Sequence, residues 1–249
     1  MNFRLKTPNL KTLLAATAIA ALPFSPAFAG GSGTQYGSWN DGSSYQGGAG
    51  QSNSQSGSGS QIINGQINLQ TNWSNLNGSV DTVGGDVVAQ GAAAGNMIDI
   101  TTMNNTRVLN NQIVGAQSNI GSNVNLGANN VWGSVGIQNQ VLCNGASVST
   151  DPTLTAIRSN QECHATDPYS SINTNVTNIA GNAVVQGSSL GNSFEADSNA
   201  PNFPIISRQL SNSGIVSNVN ANMFNVGGTV GLSSSAIGNT SQVIHYGTN

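Results

Sequence analysis

The sequence predicts an all-β fold, a β-solenoid of stacked strand–turn–strand arches, and three observations carry that expectation. The first is internal duplication. Val80 to Ile100 aligns with Val176 to Ala196 at an offset of 96, with 7 identities in 21 positions, and Ile120 to Ile137 aligns with Ile215 to Leu232 at an offset of 95, with 10 in 18. One register held over two separate blocks exceeds what a biased composition produces, and a repeated unit implies stacked or paired architecture. The second is period-two alternation. Ile120, Ser122, Val124, Leu126 and Ala128 alternate with polar residues, and Val131, Gly133, Val135 and Ile137 do so after an Asn129-Asn130 break. Ile215 to Leu232 repeats the pattern, which buries one face of a strand and wets the other. The third is composition: 34 asparagines after residue 29, accompanied by Gly, Ser and Gln, suit tight turns and stacked amides.

Taken in order, residues 1–29 read as a signal peptide. Arg4, Lys6 and Lys11 precede an apolar run from Leu13 to Leu22, and Ala27-Phe28-Ala29 offers small residues for cleavage. Residues 30–60 are low-complexity, 19 of 31 being Gly or Ser, too polar to offset the entropy of ordering, so this segment is expected to be disordered. It serves as a spacer or as a recognition tail bearing Tyr36, Trp39 and Tyr45. Residues 61–140 form repeat unit 1 and residues 171–249 repeat unit 2, each with arms of about nine residues and about four arches per period. Residues 141–170, with both cysteines, Pro152 and Pro168, read as an insertion held off the stack as a side loop.

Without the first 29 residues, three arginines (Arg107, Arg158, Arg208) face nine acids, a net charge of −6 with no lysine. Counterion release on a nucleic acid needs clustered Lys and Arg, so no nucleic-acid partner is expected.

Few residues suggest chemistry. Cys143 and Cys163 are the only cysteines, and in an exported chain they are expected to pair as a disulfide contributing about 3 kcal/mol by restricting the unfolded state. Gln90-Gly91 with Gly95-Asn96, and Gln186-Gly187 with Gly191-Asn192, occupy equivalent repeat positions and are expected to form corners, because Gly adopts positive φ freely and Asn tolerates it. Cys163, His164 and Asp167 lack the spacing of a metal site, so neither metal nor cofactor is expected. Asp99 and Glu195 share one repeat position, as a carboxylate pair or as solvated charges blocking aggregation; the repeat favours the second reading, and no catalytic residue is assigned. Trp132 lies on the polar face, with Gly227 as its counterpart. It is a candidate contact for a polysaccharide or a neighbouring protomer, or a packing residue between sheets.

The spacing Gln90-Gly91…Gly95-Asn96 and Gln186-Gly187…Gly191-Asn192, with the Asn/Gly/Ser richness, resembles curlin-type bacterial surface proteins, in particular holdfast anchor proteins of stalked alphaproteobacteria. The resemblance covers residues 61–249 and implies passage through a curli-type outer-membrane secretion pore. It also implies retention at the cell surface or outer membrane, or outside the cell. The cysteine-bracketed segment departs from the shorter, more regular curlin repeats. The resulting expectation is a non-enzymatic anchor or adhesin component that attaches an adhesive polysaccharide by β-edge association with like surface proteins and by its polar face. The alternatives are a functional amyloid fibre subunit and a β-helical polysaccharide-active enzyme.

Overall fold

The computed structural model describes residues 60–103, 105–150, 155–198 and 203–246, and the expectations for residues 1–59 lie outside them. The described chain is an all-β solenoid of four rungs with three strands each. They are β1 (Ser60–Asn68), β2 (Asn72–Val83) and β3 (Val87–Thr102); β4 (Thr106–Val114), β5 (Ile120–Val131) and β6 (Val135–Thr150); β7 (Thr155–Cys163), β8 (Tyr169–Ile179) and β9 (Ala183–Ser198); and β10 (Ile205–Ser211), β11 (Val216–Val226) and β12 (Val230–His245). Equivalent strands pair in parallel in three four-stranded sheets, β1-β4-β7-β10, β2-β5-β8-β11 and β3-β6-β9-β12.

The unit of stacking is half the one the duplication suggests. Gln90 pairs with Gln138 and Gln138 with Gln186, so successive rungs lie 48 residues apart and the 95-residue offset spans two rungs of three strands, not four arches. Residues 141–170 are therefore not an insertion. They hold the second half of β6, all of β7 and the start of β8, each paired on both sides within its sheet. The segment looked foreign because its cysteines, prolines and charges differ from the rest, yet its backbone continues the same ladders.

Each rung is two-layered. The 16-residue third strand faces the second strand with its first half and the first strand with its second half. In β9, residues 183, 185, 187 and 189 point inward, whereas 192, 194, 196 and 198 do so further on. The parity reverses at Leu190-Gly191, where the ladder skips Gly191, and β3 and β12 skip at Gly95 and Gly238. The first half encloses Val124, Ile137, Ile172 and Val185, and the second half encloses Val108, Val148, Ile157 and Phe194.

Gly95-Asn96 and Gly191-Asn192 are not corners: they stand inside β3 and β9, where the strand changes its inward face. The reason for glycine is close approach, since a Cβ on Gly95 would lie 2.5 Å from the Cys143 carbonyl oxygen and one on Gly191 would run into the Gly238 carbonyl. Gly191→Val is expected to cost about 1–3 kcal/mol by overpacking, seen as a lower urea midpoint; an unchanged midpoint would remove the bend assignment. Gln90-Gly91 and Gln186-Gly187 are not corners. Gln90 and Gln186 stand in an outward column, and Gly91 and Gly187 point inward, where a Cβ would meet Val124 at 2.6 Å and Val219 at 2.9 Å. The left-handed corner falls instead on Thr82, Asn130, Asn178 and Asn225 (φ 56°, 51°, 54° and 56°), stacked one above another as the penultimate residues of β2, β5, β8 and β11. Each is skipped by its ladder on both paired strands at once, so the register is kept while the chain turns.

Candidate functional site

The disulfide joins Cys143 in β6 to Cys163 at the end of β7, with Cα atoms 6.0 Å apart and both residues fully buried. It lies with Val114, Ile120, Val141 and Ala165 between the two halves of the core. It is therefore an internal staple between the second and third rungs. Cys143 takes the place that glycine holds at Gly95 and Gly191.

Asp99 and Glu195 share one exposed column of the sheet β3-β6-β9-β12. Ser147 stands between them in the column, which places them two strand spacings apart, about 10 Å. Among the described residues no three His, Cys, Asp or Glu side chains are placed to hold a metal ion. Trp132 is 73% exposed, just past the corner after β5, and does not pack between sheets. Trp73 covers Gly121 on the next rung, and with Asn119, Thr166, Asp167, Tyr169 and Val216 it lines a shallow cleft of about 420 Å3.

One charged cluster lies on the outer face of the sheet β1-β4-β7-β10. Glu162 accepts from Asn160 Nδ2 at 3.1 Å, meets His164 Nε2 at 3.2 Å and lies 3.9 Å from Arg208. Partial burial pushes its carboxyl upward, but those hydrogen bonds and the two basic neighbours outweigh it, so its pKa lies below the ordinary value. A depressed carboxylate stabilises the fold above its unfolded pKa and loses that contribution as pH falls through the folded value. Glu162→Gln is expected to flatten the fall in stability below pH 4.5 and to leave that limb of a pH-dependent urea series shallower.

The most ordered polar features are amide columns running along the stack. Outside, Asn125 donates to Asn77 at 2.7 Å, Asn173 to Asn125 at 3.1 Å and Asn220 to Asn173 at 3.4 Å. At the corner, Asn178 donates to Asn130 and Asn225 to Asn178. This sheet thus presents a face of regularly spaced side-chain amides.

Two further columns point inward. Gln112 Nε2 donates to Gln66 Oε1 at 2.8 Å, Gln161 to Gln112 at 2.9 Å and Gln209 to Gln161 at 2.9 Å. Asn96 Nδ2 donates to Asn144 Oδ1 at 2.9 Å, Asn144 to Asn192 at 2.8 Å and Asn192 to Asn239 at 2.7 Å. The glutamines donate toward the first rung and the asparagines toward the last. Backbone carbonyls fix these directions, because a carbonyl can only accept: Gln66, Gln112, Gln161 and Gln209 give their second proton to Met97, Gly145, Ser193 and Thr240. Asn96, Asn144 and Asn192 give theirs to Ile113, Glu162 and Leu210, each in the following rung.

These ladders break off at the ends. Among the described residues, the last rung leaves Gln209 Oε1 without a donor and Asn239 Nδ2 without an acceptor. The first leaves one Gln66 Nε2 proton and Asn96 Oδ1. The apolar column ends there too, with Leu232 and Val243, above fully buried Val185 and Ala196, exposed by 56% and 52%. Sequence reasoning found Asn96 and Asn192 but not Gln66, Gln112, Gln161, Gln209, Asn144 or Asn239. The available signal was recurrence of Gln and Asn every 46 to 49 residues, masked where Cys143 replaces glycine.

No family model, no curated protein and no solved structure matches this chain.

Proposed function

We propose that this chain is an exported, non-enzymatic anchor or adhesin component of the cell surface. It joins end to end with like chains through its open rungs and holds hydrated polysaccharide on its asparagine face. The observation that carries this reading is the complementarity of the two ends. Gln209 Oε1 and Asn239 Nδ2 at one end call for the donor and acceptor that Gln66 Nε2 and Asn96 Oδ1 hold at the other. A second copy set on the last rung in the same parallel register continues both amide ladders, covers Leu232 and Val243, and pairs the free backbone edges of β10, β11 and β12. The contact is head-to-tail and does not close on itself, so it extends. An amyloid-like fibre is its limiting form, and attachment of short stacks to a surface is its use in an anchor. Secretion through an outer-membrane pore and a location outside the cell belong to the same proposal, export resting on residues 1–29 and the pore on the resemblance that residues 61–249 carry. Outward amides in columns offer donors and acceptors at strand spacing to sugar hydroxyls, without the cost of burying charge.

The test uses the full chain blocked at one end at a time. Leu232→Lys with Val243→Lys places charge on the last rung, and Leu76→Lys with Val80→Lys does so on the first. Each variant, checked for β-type circular dichroism and an intact disulfide, is expected to associate no further than the chain that carries all four lysines. An equimolar mixture is expected to add a one-to-one contact through the two untouched ends. A variant that associates beyond the four-lysine chain alone, or a mixture that does not, overturns head-to-tail stacking. Retention of surface polysaccharide by the blocked chains tests the asparagine face separately.

A further inference from the structure

A different surface, the outer face of the sheet β3-β6-β9-β12 before its bend, carries a pattern that the single chain does not explain. One outward column reads Val88, Gly136, Val184, Gly231 from the first rung to the last. Val88 is 69% and Val184 36% exposed. Neither glycine is required by the fold. Neither has a positive φ; a Cβ on Gly136 would meet nothing within 4 Å, and one on Gly231 would make only ordinary contact with Val184 at 3.8 Å. Glycine inside a strand weakens it and often marks close approach by another backbone. The neighbouring outward column holds Gln138 and Gln186, amide-bonded at 3.3 Å. Residues 87–94, 135–142, 183–190 and 230–237 include no charged side chain.

We infer that this face is a lateral interface with a second copy of the chain, related by a two-fold axis that runs along the strands between the second and third rungs. Such an axis reverses rung order and keeps the column on itself. Val88 then meets Gly231 of the second copy, and Gly136 meets Val184 of the second copy. Every knob enters a hollow, as in a dry zipper between sheets. Pairing in the same rung order instead sets valine against valine and leaves the hollows empty. The face measures about 26 Å by 19 Å, so a pair buries about 1,000 Å2, the lower limit for specific association. One such contact is weak, and stacking several chains multiplies it. The inference does not depend on end-to-end stacking, but combined with it, it gives antiparallel pairs of stacks with no net polarity.

The experiment uses the full chain blocked at both ends by the four lysine substitutions, so that only lateral contact remains. Sedimentation equilibrium is expected to show a concentration-dependent dimer. Gly136→Val fills a hollow opposite Val184 and is expected to weaken the dimer by about tenfold or more. Val184→Gly removes a knob and weakens it too. The double variant Gly136→Val with Val184→Gly restores knob-to-hollow pairing and is expected to recover the affinity. A chain that stays monomeric, single variants without effect, or a double variant no better than the singles overturns the inference. As a check free of the lysine changes, Gly136→Cys mixed with Val184→Cys in the otherwise natural chain should cross-link faster than either variant alone; equal rates also overturn it.

Discussion

Replacing Gln161 with leucine is expected to destabilise the chain by about 3–5 kcal/mol, because three polar groups, one fully and two partly buried, lose their partner together. Gln161 is fully buried in the third rung. Its amide donates to Gln112 Oε1 and the Ser193 carbonyl and accepts from Gln209 Nε2. Leucine fills much the same volume, so the cost is polar and not a cavity. The comparison that isolates burial is Gln209→Leu on the open last rung, where water reaches the orphaned groups and the expected loss is only about 1 kcal/mol. Urea unfolding of the end-blocked chain measures both. Equal effects at the two positions would show that the inward ladder contributes no more than an exposed one.

Truncating Phe194 to alanine is expected to cost about 3–5 kcal/mol and to lower the melting temperature by roughly 10 °C. Phe194 is 1% exposed in the second half of β9, in a cluster with Ile100, Val108, Val148 and Ile157. Its column neighbours are Ala146 and Ser241, small residues that leave the ring its space. A solenoid core is one rung thick at any point, so neighbouring rungs fill such a void only by shifting their ladders. A loss below about 1 kcal/mol would mean that this half of the core collapses freely.

These two positions mark the limit of what a linear reading discloses. Phe194 falls inside the recognised repeat, but the alternation that foretold buried strands was read at residues 120–137 and 215–232, and the burial of this ring came only with the fold. Gln161 stands between Asn160 and Glu162, two residues before Cys163, in a segment whose composition argued for an excluded loop. Its inward direction follows from parity counted along β7, and parity is visible only once the strand is known to pair on both sides.

The corner residues divide in the same way. Gly95 and Gly191 were read as corners because glycine recurs there, but they stand inside strands, where glycine answers contact with the carbonyl of the neighbouring rung and not positive φ. The left-handed position belongs to Thr82, Asn130, Asn178 and Asn225, and threonine at the first hid the column. Gln90 and Gln186 kept their repeat position but proved to be outward mid-strand residues.

What the sequence alone determined is the β character, the stacking of a repeated unit and the pairing of its two cysteines. Alternation, duplication and cysteine count are local or countable properties of the chain. What the tertiary structure decided is the 48-residue rung, the place of residues 141–170 inside the stack and the opposed directions of the two inward amide ladders. Each depends on which strand lies above which. Parallel pairing accepts almost any side chain in a column, so register is set by contacts between rungs and not by the residues of one.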